Sequence, residues 1–235
     1  MVKQKILAAL VVASLSTGAY AFSLGGLTDA VKGGAQACML GGKTVTAEDL
    51  AKLQEGYQAN TKKVSTQLLG AQRDLASALG LKEQAANAEA QLKTLKKGNI
   101  SADKLEKVTT VSTDVDKAIQ AKAKEIDKLS DEQKKQVSKS LGQYGSGALG
   151  TARVTGEIVL AGAAVGCVAM GDPLNAPKLK KNLGFIADSA VALPGFSKDL
   201  ITTGFSYAKL FKNYGVDVSS LEKSMKQAQN VTAEK

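Results

Sequence analysis

No proline occurs before residue 173, and the three prolines of this 235-residue chain all fall between positions 173 and 194. Proline ends helices because it lacks an N–H and clashes with the preceding turn. A chain that withholds it for so long leaves long helices free to form. Small apolar residues, Lys, Gln and Glu are plentiful, aromatics make up 4% and Trp is absent. That mixture favours helix over strand, so the expected fold class is all-α.

The hydrophobic spacing supports this. Thr46 with Glu48 and Asp49 has the form of a helix start. Counting by sevens from Leu50 gives Tyr57, Val64, Ala71, Ala78, Ala85 and Leu92, all apolar. Leu53, Leu81, Ala88 and Leu95 complete a seam at both ends. In the middle Asn60, Gln67 and Asp74 interrupt it, and Leu68 and Leu75 take over one residue later, as a seam drifting around a straight helix requires. Unbroken to Lys97, this helix is about 75 Å long. Gly70 and Gly80 are the places where it can bend or stop.

Gly98-Asn99 makes a turn, and Ser101 with Asp103 starts a second helix bearing Val108, Val111, Val115, Ile119, Ile126 and Leu129 on one face. Ser130 and Gln133 form a capping-box pattern, after which Val137 and Leu141 continue that face. The short turn at 98–100 makes the flanking helices antiparallel neighbours. Residues 43–141 thus read as a long helical hairpin, with a nearly balanced surface of 18 basic and 14 acidic residues.

Composition shifts at Gly142. Residues 142–235 read as a compact, Gly- and Ala-rich apolar bundle, with no charge from Ile158 to Gly171. Gly162 and Gly166 stand four apart, as do Ala148, Ala152 and Gly156, and such faces let helix backbones approach. Pro194-Gly195 is expected to break the helix over 183–193, and Ser219 with Glu222 to open the last helix as a capping box. Near the N-terminus, Leu24, Leu27, Val31, Ala35 and Cys38 recur at helical spacing, so residues 22–42 read as an amphipathic helix that packs on the bundle and stops at Gly41-Gly42.

Residues 1–21 have the pattern of a cleaved export signal. Lys3 and Lys5 precede an apolar run from Ile6 to Leu15, and Ala19-Tyr20-Ala21 supplies a small-x-small cleavage site. The expected location is periplasmic or secreted. The charge of +9 falls to +7 in the processed chain, because the leader holds two lysines and no acid. An oxidising compartment permits a bond between Cys38 and Cys167, the two cysteines present, closing a loop of about 130 residues.

Several chemistries are disfavoured. The chain has no histidine, which removes His-based triads, His general bases and the commonest metal ligand. Two separated cysteines do not make a zinc site. Gly41-Gly42-Lys43-Thr44 resembles the end of a phosphate loop, but Ala37 stands where its first glycine belongs. Ser101-x-x-Lys104 and Ser220-x-x-Lys223 are most simply helix caps, and Asp114 and Asp116 most simply solvated surface. No catalytic, cofactor-binding or metal-ligating residue is therefore expected, and neither nucleotide nor nucleic acid as a partner.

The chain is expected to be non-enzymatic. It would bind a protein partner or another copy of itself in the bacterial envelope, with the hairpin 43–141 as its arm. The alternative is a membrane-active or lipid-handling protein using the apolar helices of 145–195. The residues for lipid contact would then be Ile158, Val159, Leu160, Val165, Phe185, Ile186 and Leu193.

Overall fold

A computed structural model describes residues 38–172, 174 and 176–233, with the backbone but not the side chain of Lys180. The export signal and residues 22–37 of the expected N-terminal helix lie outside the described residues. Within them the fold is an all-α helical bundle carrying one small hairpin. Strands β1 (Met39–Leu40) and β2 (Lys43–Thr44) pair antiparallel. Six helices follow: α1 (Ala47–Ala78), α2 (Lys82–Lys96), α3 (Ala102–Glu125), α4 (Asp131–Gly171), α5 (Ala176–Lys212) and α6 (Ser219–Ala233).

Glycine conformation corrects the sequence reading twice. Gly41 and Gly42 have φ of 59° and 78°, the two left-handed positions that a tight two-residue hairpin needs. The segment Met39–Leu40 is therefore extended and not the end of a helix. Gly80, at φ 76°, ends α1 with a left-handed cap: Gly80 N–H donates to Ser77 and Leu81 N–H to Ala76. The expected 75 Å helix thus folds back on itself. Lys62 Nζ donates to the Gly98 carbonyl at 2.8 Å, and Arg73 pairs with Glu89, so α2 runs antiparallel along the second half of α1. The turn at 98–100 forms as expected, with Ser101 capping α3.

Helix α4 is the spine. Its start is a true capping box between Ser130 and Gln133, and its 41 residues run straight across Gly142, so the shift in composition there is no break in the backbone. It lies antiparallel to the whole of α1: Gln133 Nε2 donates to the Ala78 carbonyl, Gly147 meets Leu68, and Ala161 and Ala164 pack with Leu50. Glycine is needed at this crossing, because a Cβ on Gly147 would sit 3.1 Å from Leu68 Cα.

Helix α5 returns along α4, with Ala190 against Gly162 and Tyr207 against Tyr144. Pro194 does not break it; the irregular point is Leu183, with φ −115° and ψ 16°. Proline removes one N–H, and packing against α4 on both sides holds the remaining turns in place. Helix α6 closes against α4 and α5, Leu221 and Met225 being fully buried. Its expected Ser219–Glu222 box is absent: Glu222 N–H bonds to Val218, and Asp217 accepts from Ser219 N–H at 3.0 Å. Ser220 is not a cap either, its hydroxyl lying beside Gly142.

Two levels result. At one end all six helices share the main core, around Leu68, Leu75, Val115, Leu141, Tyr144, Tyr207 and Phe211. At the other, α2, α3 and α6 are absent. Only the start of α1, the end of α4 and the start of α5 continue, as a three-helix arm with its own core of Leu50, Ala161, Ala164, Val165, Leu179, Leu183 and Ile186. The hairpin β1–β2 lies on the end of this arm, packed through Leu40 and Val45.

Candidate binding surface

Cys38 and Cys167 are disulfide-bonded, with Cα atoms 5.7 Å apart and a separation of 129 residues. The bond fastens the hairpin to α4. It also fixes Met39 and Met170, close in sequence to the two cysteines, at one end of the molecule. The link between α4 and α5 brings Leu174 to the same end.

The large hydrophobic side chains that remain exposed among the described residues are Met39, Leu53, Leu160, Met170, Leu174 and Val191. All belong to the arm. Leu174, at its apex, is 93% exposed. Leu53, Leu160 and Val191 come from its three different helices. Leu50 packs with Ala161, and Gly162 faces Ala190, so these three lie at about one height along the arm. Isolated exposed apolar residues are ordinary on protein surfaces; their confinement to one end is what marks an interaction site.

The lipid-contact residues expected from sequence divide unevenly. Ile158, Val165, Phe185, Ile186 and Leu193 are buried in the bundle, Val159 is half-buried and Leu160 is 46% exposed. Met39, Leu53, Met170, Leu174 and Val191 were not among them. Hydropathy selects the most apolar turns, and those are the turns a bundle buries. Only the three-dimensional register tells which apolar side chains are left outside. Helix α4 is long and apolar enough to cross a membrane, but 39% of its most apolar stretch is already buried against the protein.

The opposite end holds the strongest polar feature of the core. Asp116, expected on the surface, is buried between α1, α3, α4 and α5. Tyr207 Oη donates to Oδ1 at 2.7 Å and Tyr144 Oη to Oδ2 at 3.0 Å. Gln72 on α1 donates to the Ser112 hydroxyl and carbonyl at 2.8 and 3.1 Å. Burial pushes the Asp116 carboxyl up to about 6, against the hydrogen bonds from Tyr207 and Tyr144 that favour its ionised form. Asp116 is closed off from solvent, and its hydrogen bonds tie α3 to α4 and α5. Asp114, two residues away, is exposed as expected.

Other candidate chemistry is weak. A groove of about 480 Å³ between α2 and α3 is lined by Gln84, Asn87, Gln91 and Thr94 together with Glu83 and Asp114. It offers amides and carboxylates but no nucleophile with a base. No cluster of three or more potential metal ligands occurs among the described residues. The phosphate-loop look-alike at Gly41–Thr44 is the β1–β2 hairpin: its glycines lead directly into strand β2, not into the N-terminus of a helix that could cradle a phosphate. No protein family, curated protein or solved structure matches the chain.

Proposed function

We propose that this chain is an exported, non-enzymatic helical protein that acts by binding, and that the three-helix arm is the part that binds. The observation carrying this reading is the confinement of the exposed large hydrophobic side chains to the arm. A soluble bundle has no structural need to build an extension from its most apolar helices and leave their outer face uncovered. The hairpin 43–141, expected from sequence to be the contact arm, has its second half folded into the six-helix end, so the contact role passes to the arm. The disulfide supports export, because such bonds persist in oxidising compartments. The lack of histidine and the enclosure of Asp116 support a role without catalysis.

Photo-cross-linking in the producing cell tests this. A cross-linking residue at Leu160, Leu174 or Val191 is expected to capture a partner, and one at Lys135 or Lys139 on the six-helix end is not. Capture of neither protein nor lipid from the arm, or equal capture from both ends, would overturn the assignment of binding to the arm.

A further inference from the structure

The arm ends in three exposed apolar side chains: Met39 on the hairpin, Met170 in the last turn of α4 and Leu174 in the link to α5. Cations stand beside them. Lys43 is exposed on β2, and Lys178 and Lys181 are exposed on the first turns of α5, on either side of the buried Leu179. Among the described residues none of these three lysines forms an ion pair, and the first turn of α5 contains no acid. Lysines at a helix start work against the helix dipole, so the placement costs stability where they stand. The neighbouring acids are themselves engaged. Glu48 pairs with Lys52 at 2.9 Å, Asp49 is bound to Thr46 in the cap of α1, and Asp172 near the apex is engaged as well.

Size decides what such a tip fits. A stable protein interface buries about 800 Å² on each partner, far more than three projecting side chains supply. A bilayer surface makes no such demand. Apolar side chains enter the acyl boundary at about 1.5–3 kcal/mol each, and each nearby lysine adds about 1 kcal/mol against anionic headgroups. We infer that the end of the arm docks on an anionic bilayer, with Leu174, Met170 and Met39 entering the headgroup boundary and Lys43, Lys178 and Lys181 engaging lipid phosphates. The docking is peripheral: the core residues of the arm stay packed and α4 does not cross. The inference rests on the arm being the binding element and names its partner.

Vesicle flotation tests it, using protein purified from the periplasm of an expressing bacterium. The protein should float with phosphatidylglycerol–phosphatidylethanolamine vesicles, and raising the salt should release it. It should not float with phosphatidylcholine alone. Leu174→Asp should weaken the association about tenfold or more, the equivalent of one lost leucine insertion. Lys178→Glu with Lys181→Glu should weaken it comparably. Lys135→Glu with Lys139→Glu, at the six-helix end, should leave it unchanged. Leu174 is almost fully exposed, so an unaltered circular dichroism spectrum is expected for its variant.

Absence of flotation with anionic vesicles overturns the inference, as does equal flotation of Leu174→Asp or equal binding to phosphatidylcholine. If flotation fails while cross-links from the arm capture a protein or a second copy, bilayer docking is wrong and the binding arm stands. If flotation and cross-linking both fail, both readings fall.

Discussion

Tyr207 on α5 donates a 2.7 Å hydrogen bond to Asp116 on α3, ninety-one residues earlier, and Tyr214 donates to the Ala123 carbonyl across the same separation. A constant offset means that α3 and α5 run parallel, each tyrosine reaching across at two-turn intervals. Tyr144 from α4 completes the group around Asp116, so a single carboxyl joins three helices. Among the described residues no cation is part of this group. Asp199 is the other ionisable residue acting there, through Tyr144, and its negative charge does not neutralise Asp116.

This arrangement makes stability depend on pH in an unusual direction. The folded carboxyl titrates near 6, above the ordinary value of 3.8, so the folded state holds the proton more tightly than the unfolded one. The stabilising contribution is complete below about 4 and is lost as pH rises through 6. Roughly two units correspond to about 3 kcal/mol at full burial. Asp116→Asn keeps the shape and removes the titration. Urea unfolding at pH 4.5 and 7.5 should show wild type gaining about 2 kcal/mol relative to the variant at the lower pH. A wild-type-to-variant difference that stays constant with pH would contradict this.

Tyr207→Phe removes the shorter of the two phenol hydrogen bonds and leaves Oδ1 of a buried carboxylate short of a donor. The expected loss at pH 7.5 is about 1–3 kcal/mol. It should shrink on acidification, because a protonated Asp116 needs fewer donors. Thermal unfolding at the two pH values measures it.

The all-α class, the caps at Thr46, Ser101 and Ser130, and the Cys38–Cys167 pairing were readable from residue type and spacing. Each is a local decision, made within one turn or forced by there being two cysteines. The reversal at Gly80 was harder, because a glycine inside a helical pattern is compatible with continuation, bending or a stop. What chose a stop was the burial gained when Ala85, Ala88, Leu92 and Leu95 fold back into the core. Pro194 erred the other way: a local breaker was overruled by packing on both sides. Asp116 looked like Asp114 because no local pattern records that Tyr144 and Tyr207 will meet it. The exposed end of the arm was invisible for the same reason, since composition shows what is apolar but not what is left outside.

Glycine substitutions should separate packing from propensity. A Cβ on Gly162 would stand 2.6 Å from the Cβ of Ala190, so Gly162→Ala must push α4 and α5 apart within the arm. The expected cost is about 1–3 kcal/mol. At Gly70, inside α1, an added Cβ meets nothing within 4 Å. Gly70→Ala should therefore stabilise by about 0.5–1 kcal/mol through helix propensity alone. Melting temperatures should move in opposite directions, by a few degrees each. Movement in the same direction would show that the close approach of α4 and α5 is not what glycine serves at position 162.

The disulfide couples the tip to the whole fold. Its loop of 129 residues encloses α1, α2, α3 and most of α4, so the bond restricts the unfolded chain across most of the bundle. In the chain-entropy account this is worth about 4–5 kcal/mol. Replacing both cysteines by serine should lower the urea midpoint by about 2 M for a chain of this size, and added reductant should then have no effect. A local consequence follows as well. Without the bond the hairpin is held to the arm by Leu40 and Val45 packing against its core, together with its own backbone pairing. Amide exchange at Leu40 and Val45 should accelerate more than at Val115 and Ile119 in the six-helix core. Equal acceleration at both places would mean that the bond acts only through the unfolded state and does not anchor the hairpin to the arm.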